Sequence, residues 1–152
     1  MTAWTDPMAT IIAKLKTIVL TPNSLPSISY AVSVGNVDAS LRGGPNGEIT
    51  PQFTVIKQSA PTKALDSNGI VSNSEFNYQI SCWNQTYGPT ENSEQLNEKM
   101  VNAVRAVIKA NRLEPSGTID YMDVVNEIQR DEPDIKPILR RTIVFVRTVC
   151  RR

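Results

Sequence analysis

Seven carboxylates, Glu114, Asp120, Asp123, Glu127, Asp131, Glu132 and Asp134, fall within positions 114–134. Paired carboxylates perform acid–base chemistry when their surroundings drive their pKa values apart, so that one holds a proton and the other accepts it. Here the acidic block is followed, at 136–152, by six cations and no acid: Lys136, Arg140, Arg141, Arg147, Arg151 and Arg152. Acids beside arginines read better as an ion-paired, solvated surface than as a catalytic pair. The chain has no histidine, which removes the commonest general base and the commonest metal ligand. A serine or cysteine nucleophile needs a base within hydrogen-bond reach, and no spacing singles one out. "GGPNG" at 43–47 lacks the lysine and the following helix of a phosphate-binding loop. "DSNG" at 66–69 has too few oxygen ligands for a calcium loop. No catalytic, metal-binding or cofactor-binding residue is therefore expected, and the chain reads as a non-enzymatic binding protein.

The basic tail has the charge to meet nucleic-acid phosphates. The acids before it nearly cancel it. Net charge is +1, which supplies no bulk attraction to nucleic acid or membrane. At 152 residues the chain is expected to form one domain that folds without a metal or disulfide. Cys82 and Cys150 lie on two strand-like stretches that could neighbour each other in a sheet, and reduced, partly buried thiols are expected. The first 20 residues lack an early positive cluster and are interrupted by Asp6-Pro7, so no targeting segment is predicted. No apolar run approaches the roughly 20 residues that span a bilayer. Synthesis in a cytoplasm and no membrane partner are the expectations.

The elements that must position any binding surface are legible from periodicity. Met8, Ile11, Ile12, Leu15, Ile18 and Val19 predict a helix over about 7–20, with Asp6 as its cap, Pro7 at its first position and Thr21-Pro22 as its end. "SISYAVSV" at 27–34 alternates as a half-buried strand, with Ile28, Tyr30, Val32 and Val34 facing one way. "PQFTVIKQ" at 51–58 is a second strand, its proline suited to a first position or an edge. The polar, glycine-rich stretches at 35–50 and 59–74 predict long loops, which at this length are functional candidates. Phe76, Tyr78, Ile80 and Cys82 alternate with Asn77, Gln79, Ser81 and Trp83 as a strand. After "TYGPTEN", Asn92 and Gln95 can form a capping box, and Leu96, Met100, Ala103, Val104, Val107 and Ile108 make one helix stripe. "IDYMDVVNEIQ" at 119–129 fits a helix or a strand. "TIVFVRTV" at 142–149 is a strand whose mixed apolar faces suggest a central position. A hairpin turning near "EPDIKP" would set the acids opposite the arginines, where each cross-strand pair contributes roughly 0.2–1 kcal/mol, and this favours the strand. The fold expected is α+β, with a small mixed or antiparallel sheet of about four to six strands and two main helices.

The pieces "MATIIAKLKTIVL", "PQFTVIKQ", "YQISCWNQTYGPTENSEQLNEKMVNAVRAVIKA" and "RRTIVFVRTVCRR" occur in an order that resembles the tail terminator proteins of long-tailed bacteriophages. The resemblance covers most of the chain outside 35–50 and 59–74. It implies a structural virion protein that forms a hexameric ring on the last ring of the tail tube. There it would stop tube growth and offer a docking face to the neck. The implied partners are other copies of the chain, the tail tube protein and a neck or head-completion protein, with DNA only passing through the lumen. The implied location is the head–tail junction of the virion, after synthesis in the bacterial host. Interface residues expected under this reading are Arg42 and Asn46 in the first loop, Lys63 and Asp66 in the second, Trp83 and Tyr87, and Arg140, Arg141 and Arg147. A neck or head-completion protein of the same virion is the alternative. A nucleic-acid-binding module using Arg140, Arg141, Arg147, Arg151 and Arg152, or a small carboxylate-dependent enzyme, is a more distant one.

Overall fold

Alternation in "FNYQISCW" survives in three dimensions: Phe76, Tyr78, Ile80 and Cys82 are all buried, and Asn77 and Gln79 between them are half-buried. They lie on the long strand of an α+β fold. The computed structural model describes residues 7–20, 28–29, 31–38, 48–58, 62–65, 71–85, 93–116, 119–132, 134 and 138–151. Along the chain run α1 (Met8–Leu15), β1 (Val19–Leu20), β2 (Ile28–Ser29), β3 (Ala31–Val34), β4 (Gln52–Lys57), β5 (Thr62–Leu65) and β6 (Val71–Asn84). They are followed by α2 (Ser93–Ala110), β7 (Leu113–Ser116), β8 (Ile119–Gln129) and β9 (Arg140–Arg151). The main sheet follows the path β3-β4-β6-β9-β8-β7, with β5 pairing the first part of β6. Among the described residues only the β3–β4 pair is parallel, so the sheet is mixed.

The hairpin reading of 119–129 and the central position of 142–149 both hold: β9 lies between β6 and β8. Its register sets Val144 opposite Ile80 and Val146 opposite Tyr78, so their side chains join one core. On α2, Leu96, Met100, Val104 and Ile108 recur at four-residue spacing and are buried, while Glu94, Glu98, Arg105 and Lys109 face out. Ile11 and Leu15 of α1 enter the same core beside Phe53 and Val55 of β4. Both helices thus cover one face of the sheet. Truncating a buried leucine in such a core typically costs about 2–5 kcal/mol.

Three expectations need correction. First, α1 ends at Leu15, not near residue 20. The Thr17 hydroxyl donates to the Lys14 carbonyl at 2.6 Å, and Ile18 N–H donates to the Leu15 carbonyl in a tighter turn. A β-branched run that competes for backbone acceptors disfavours continuing a helix, and Val19–Leu20 instead pairs with Ile28–Ser29. The predicted cap Asp6 lies outside the described residues, as do Asn92 and Tyr30. Second, the predicted loop at 59–74 contains β5 and the start of β6, paired Thr62↔Glu75 and Lys63↔Ser74. Apolar alternation is absent there because this arm is held by backbone ladders, β5 on one side of β6 and β9 on the other. Third, Cys82 and Cys150 are on adjacent strands but not neighbours. Cys82 stands opposite Thr142 and Cys150 opposite Ser74, which separates them along the ladder by roughly 26 Å at about 3.3 Å per residue. Both are buried thiols outside any disulfide, and burial pushes the Cys82 thiol far above its ordinary range. Of the loop predicted at 35–50, Gly35–Asp38 and Glu48–Thr50 are described. Gly35, at φ +94°, turns the chain away from β3 while its N–H donates to the Val55 carbonyl. Positive φ of this kind is what glycine tolerates without a Cβ clash.

Candidate interaction surface

Strand alternation that sends Val144 and Val146 to the helices sends Arg141, Ile143, Phe145, Arg147 and Val149 to the opposite face of the sheet. Their cross-strand neighbours on β6 are polar: Ser81 beside Ile143, Gln79 beside Phe145 and Asn77 beside Arg147. Those on β8 are Ile128, Asn126 and Asp123. The β8 ladder slips between Val124 and Asn126, leaving Val125 as the extra residue of a bulge. Such a bulge re-aims its side chain, and Val125 is 62% exposed, with Ile128 at 36%. A groove of about 340 Å³ is lined here by Gln58, Asn77, Val125, Asn126, Phe145 and Val146. No helix among the described elements packs on this face.

One end of the same face is closed. Trp83, Ile49 and Leu139 form a second small core with Val37 against it. Trp83 Nε1 donates to Thr54 Oγ1 at 2.8 Å, and the Arg141 guanidinium lies 4.5 Å above the indole ring. Arg141 Nε also donates to Ser81 Oγ at 3.1 Å. Burial lowers the Arg141 guanidinium from its ordinary pKa, opposed by the Glu132 carboxylate. Gln52 fastens the loop ends: its Oε1 accepts from Asp38 N–H at 2.8 Å, and its Nε2 donates to Asp38 O at 3.0 Å. Gln85 Oε1 accepts from Ile49 N–H at 2.7 Å. These amides satisfy backbone groups that burial would otherwise leave unpaired.

A third polar cluster joins the sheet to α2. Asn97 Nδ2 donates to Cys82 O at 3.0 Å and to Asn84 Oδ1 at 2.8 Å, while Asn84 Nδ2 donates to Ser93 O at 2.8 Å. The Thr142 hydroxyl donates to Asn97 Oδ1. Nearby, Arg140 pairs with Asp131 at 2.9 Å and Glu94 at 3.3 Å and donates to Ser93 Oγ at 3.1 Å. A polar groove of about 490 Å³ runs from this cluster between α2 and β8, where Arg105 and Glu127 form a bidentate pair.

The structure therefore distributes the expected interface residues unevenly. Arg42, Asn46, Asp66 and Tyr87 lie outside the described residues. Lys63 is on β5, opposite Ser74. Trp83 is 6% exposed: it covers one end of the sheet from inside the fold and is not an open anchor. Arg140 and Arg141 are tied into that end by the contacts above. Arg147 alone of the three arginines stands on the open part of the face, 4.0 Å from Glu75, and its Nε has no hydrogen-bond partner among the described residues. The predicted charge pairing exists in register, Asp123 opposite Arg147. Asp123 Oδ2, however, accepts from the Tyr121 hydroxyl at 2.8 Å. Sequence reasoning missed Val125, Ile128 and Phe145. The signal for Phe145 was present, since "TIVFVRTV" puts apolar residues on both faces; the bulge at Val125 left none. Among the described residues, no group of three or more His, Cys, Asp or Glu side chains is arranged to hold a metal ion, and no helix is long and apolar enough to cross a membrane.

Compared with known proteins, the chain matches no protein-family model and no curated sequence.

Proposed function

We propose that this chain is a non-enzymatic structural subunit of a long-tailed bacteriophage, a tail terminator that closes into a ring at the head–tail junction. The observation that carries the reading is the one-sided sheet: two helices seal one face, and the other presents Val125, Ile128 and Phe145 beside charged residues. An apolar patch rimmed by polar groups is characteristic of a protein–protein contact surface. The order of elements, which resembles that of tail terminators, gives the contact its context. A ring of such subunits stacks on the tube through one face and refuses further tube subunits on the other, so that growth stops. DNA passes through the lumen.

The reading is tested by adding the purified chain to tail tube protein that is polymerising in vitro and measuring tube lengths by electron microscopy. A terminator shortens the tubes and sits at one end of each. Tubes that grow to the same lengths with no bound cap would remove the proposal.

A further inference from the structure

The crevice between α2 and β8 changes sign along its length. Glu94 and Glu98 line its first half, Lys109 and Arg112 its second, and the Arg105–Glu127 pair borders both. The second half is a groove of about 300 Å³ with an apolar wall, Ile108 from the helix and Val124 from the strand. Both carboxylates beside it are engaged. Glu127 accepts the two hydrogen bonds of the Arg105 fork, while Asp123 accepts the Tyr121 hydroxyl and stands opposite Arg147 in the ladder. Among the described residues, Lys109 and Arg112 have neither an ion pair nor a side-chain hydrogen bond. Arg112 is nonetheless positioned, its guanidinium 5.3 Å from the centre of the Tyr121 ring. A guanidinium held over a ring face keeps the N–H groups at its edge available. A cation in the last turn of a helix complements the partial negative charge there. That accounts for Lys109, but not for an arginine beyond the helix stacked on a strand residue.

We propose that this groove binds an acidic segment of a partner protein, with a carboxylate side chain on the Arg112 fork beside Lys109 and an adjacent apolar side chain on Ile108 and Val124. A guanidinium fork matches a carboxylate with two parallel hydrogen bonds, a geometry that a lone ammonium lacks. The apolar wall favours a carboxylate carried next to an aliphatic residue over a bare anion. Asp123 and Glu127 at the border disfavour a nucleic acid, whose negative charge repeats along the strand. The sign change at Arg105–Glu127 orients the segment: its acid lies toward Arg112, and neutral or basic residues lie toward Glu98. The groove is on the helix side of the sheet, away from the open face that carries the virion reading, so either can fail without the other.

The test is an NMR titration of the isotope-labelled full chain with the peptide acetyl-Gly-Leu-Glu-Gly-amide, with circular dichroism as the check on folding of each variant. Saturable shifts are expected at Lys109, Arg112, Tyr121 and Val124. The same peptide with glutamine in place of glutamate should bind at least about tenfold more weakly, as loss of a hydrogen bond to a charged group does. Arg112→Gln should weaken the glutamate peptide by a similar factor and leave the glutamine peptide unchanged, which couples the two charges directly. Arg112→Lys, which keeps the charge without the fork, should recover only part of the loss. Acetate at the same concentrations should bind more weakly than the glutamate peptide, because it leaves the apolar wall uncovered. Absent shifts at millimolar peptide, or shifts scattered over other surfaces, overturn the proposal. So do equal binding of the two peptides, acetate binding as tightly as the glutamate peptide, or indifference to Arg112→Gln. Displacement of the peptide from the groove by double-stranded DNA, in a salt-dependent way, would also overturn it and make the occupant a phosphate backbone.

Discussion

Asn97 on α2 and Asn84 at the end of β6 share a hydrogen bond of 2.8 Å in which both side chains are buried. That bond, with the Asn97 contact to Cys82 O, fixes where the helix begins relative to the sheet. Replacing Asn97 with leucine would strand both Asn84 Oδ1 and Cys82 O. Each buried group left unpaired costs about 1–3 kcal/mol, so Asn97→Leu is expected to lower stability by about 2–4 kcal/mol in urea unfolding. A loss within the error of the measurement would mean the two acceptors find water or other partners.

Trp83 separates packing from hydrogen bonding. Trp83→Phe removes the donor to Thr54 and keeps an aromatic ring under Arg141. It should cost about 1–2 kcal/mol, near the value of one lost buried hydrogen bond. Trp83→Ala also empties the second core and should cost about 3–5 kcal/mol. Equal losses for the two variants would show that the indole body contributes nothing.

Arg140 is held by Asp131 and Glu94, its own side chain 19% exposed but that of Glu94 68% exposed. Exposed pairs contribute about 0–1 kcal/mol, and breaking a buried one costs about 3–5 kcal/mol. Arg140→Glu, which sets like charges together, should fall between, at about 2 kcal/mol. The loss should shrink in high salt because the Glu94 half of the pair is screened. A loss that does not respond to salt would assign the cost to packing instead.

Cys82 gives a pH dependence with a definite sign. Burial raises its folded pKa, with a smaller push from the Glu127 carboxylate, above the ordinary 9.0. Above that pH the unfolded chain loses the thiol proton while the folded chain keeps it, so the unfolded state binds fewer protons and stability falls as pH rises. The contribution is about 1.4 kcal/mol per pH unit, fully present below the ordinary value and lost progressively above it. Cys82→Ala should flatten the decline by that amount in urea titrations at stepped pH. The native thiol should also resist alkylation, because the thiolate is the reacting form. Rapid labelling of folded protein would contradict the burial.

The sequence made some of this fold legible because burial leaves a period. The strand from Phe76 to Cys82, the helix from Leu96 to Ile108 and the strand through Val144 and Val146 each put apolar residues on the face that enters the core. The charge blocks at 114–134 and 136–152 likewise indicated the β8–β9 hairpin. The arm of β5 and early β6 carried no such signal, since its ladders are backbone bonds and its residues are small and polar. Side chains that hold the ends, Gln52, Asn84 and Asn97, look in sequence like surface polar residues. Their burial depends on carbonyl and amide groups brought from 9 to 15 positions away, as in the Asn84–Ser93, Gln52–Asp38 and Asn97–Cys82 bonds. Val125 was hidden because a one-residue bulge shifts the alternation that sequence reading assumes.

The central claim, that this chain ends tail growth, is tested most directly by electron microscopy of tails from the encoding phage with its gene deleted. The account predicts tails of variable, excessive length that carry no heads. Tails of normal length would contradict it; if these also failed to join heads, the chain would act one layer higher, in the neck.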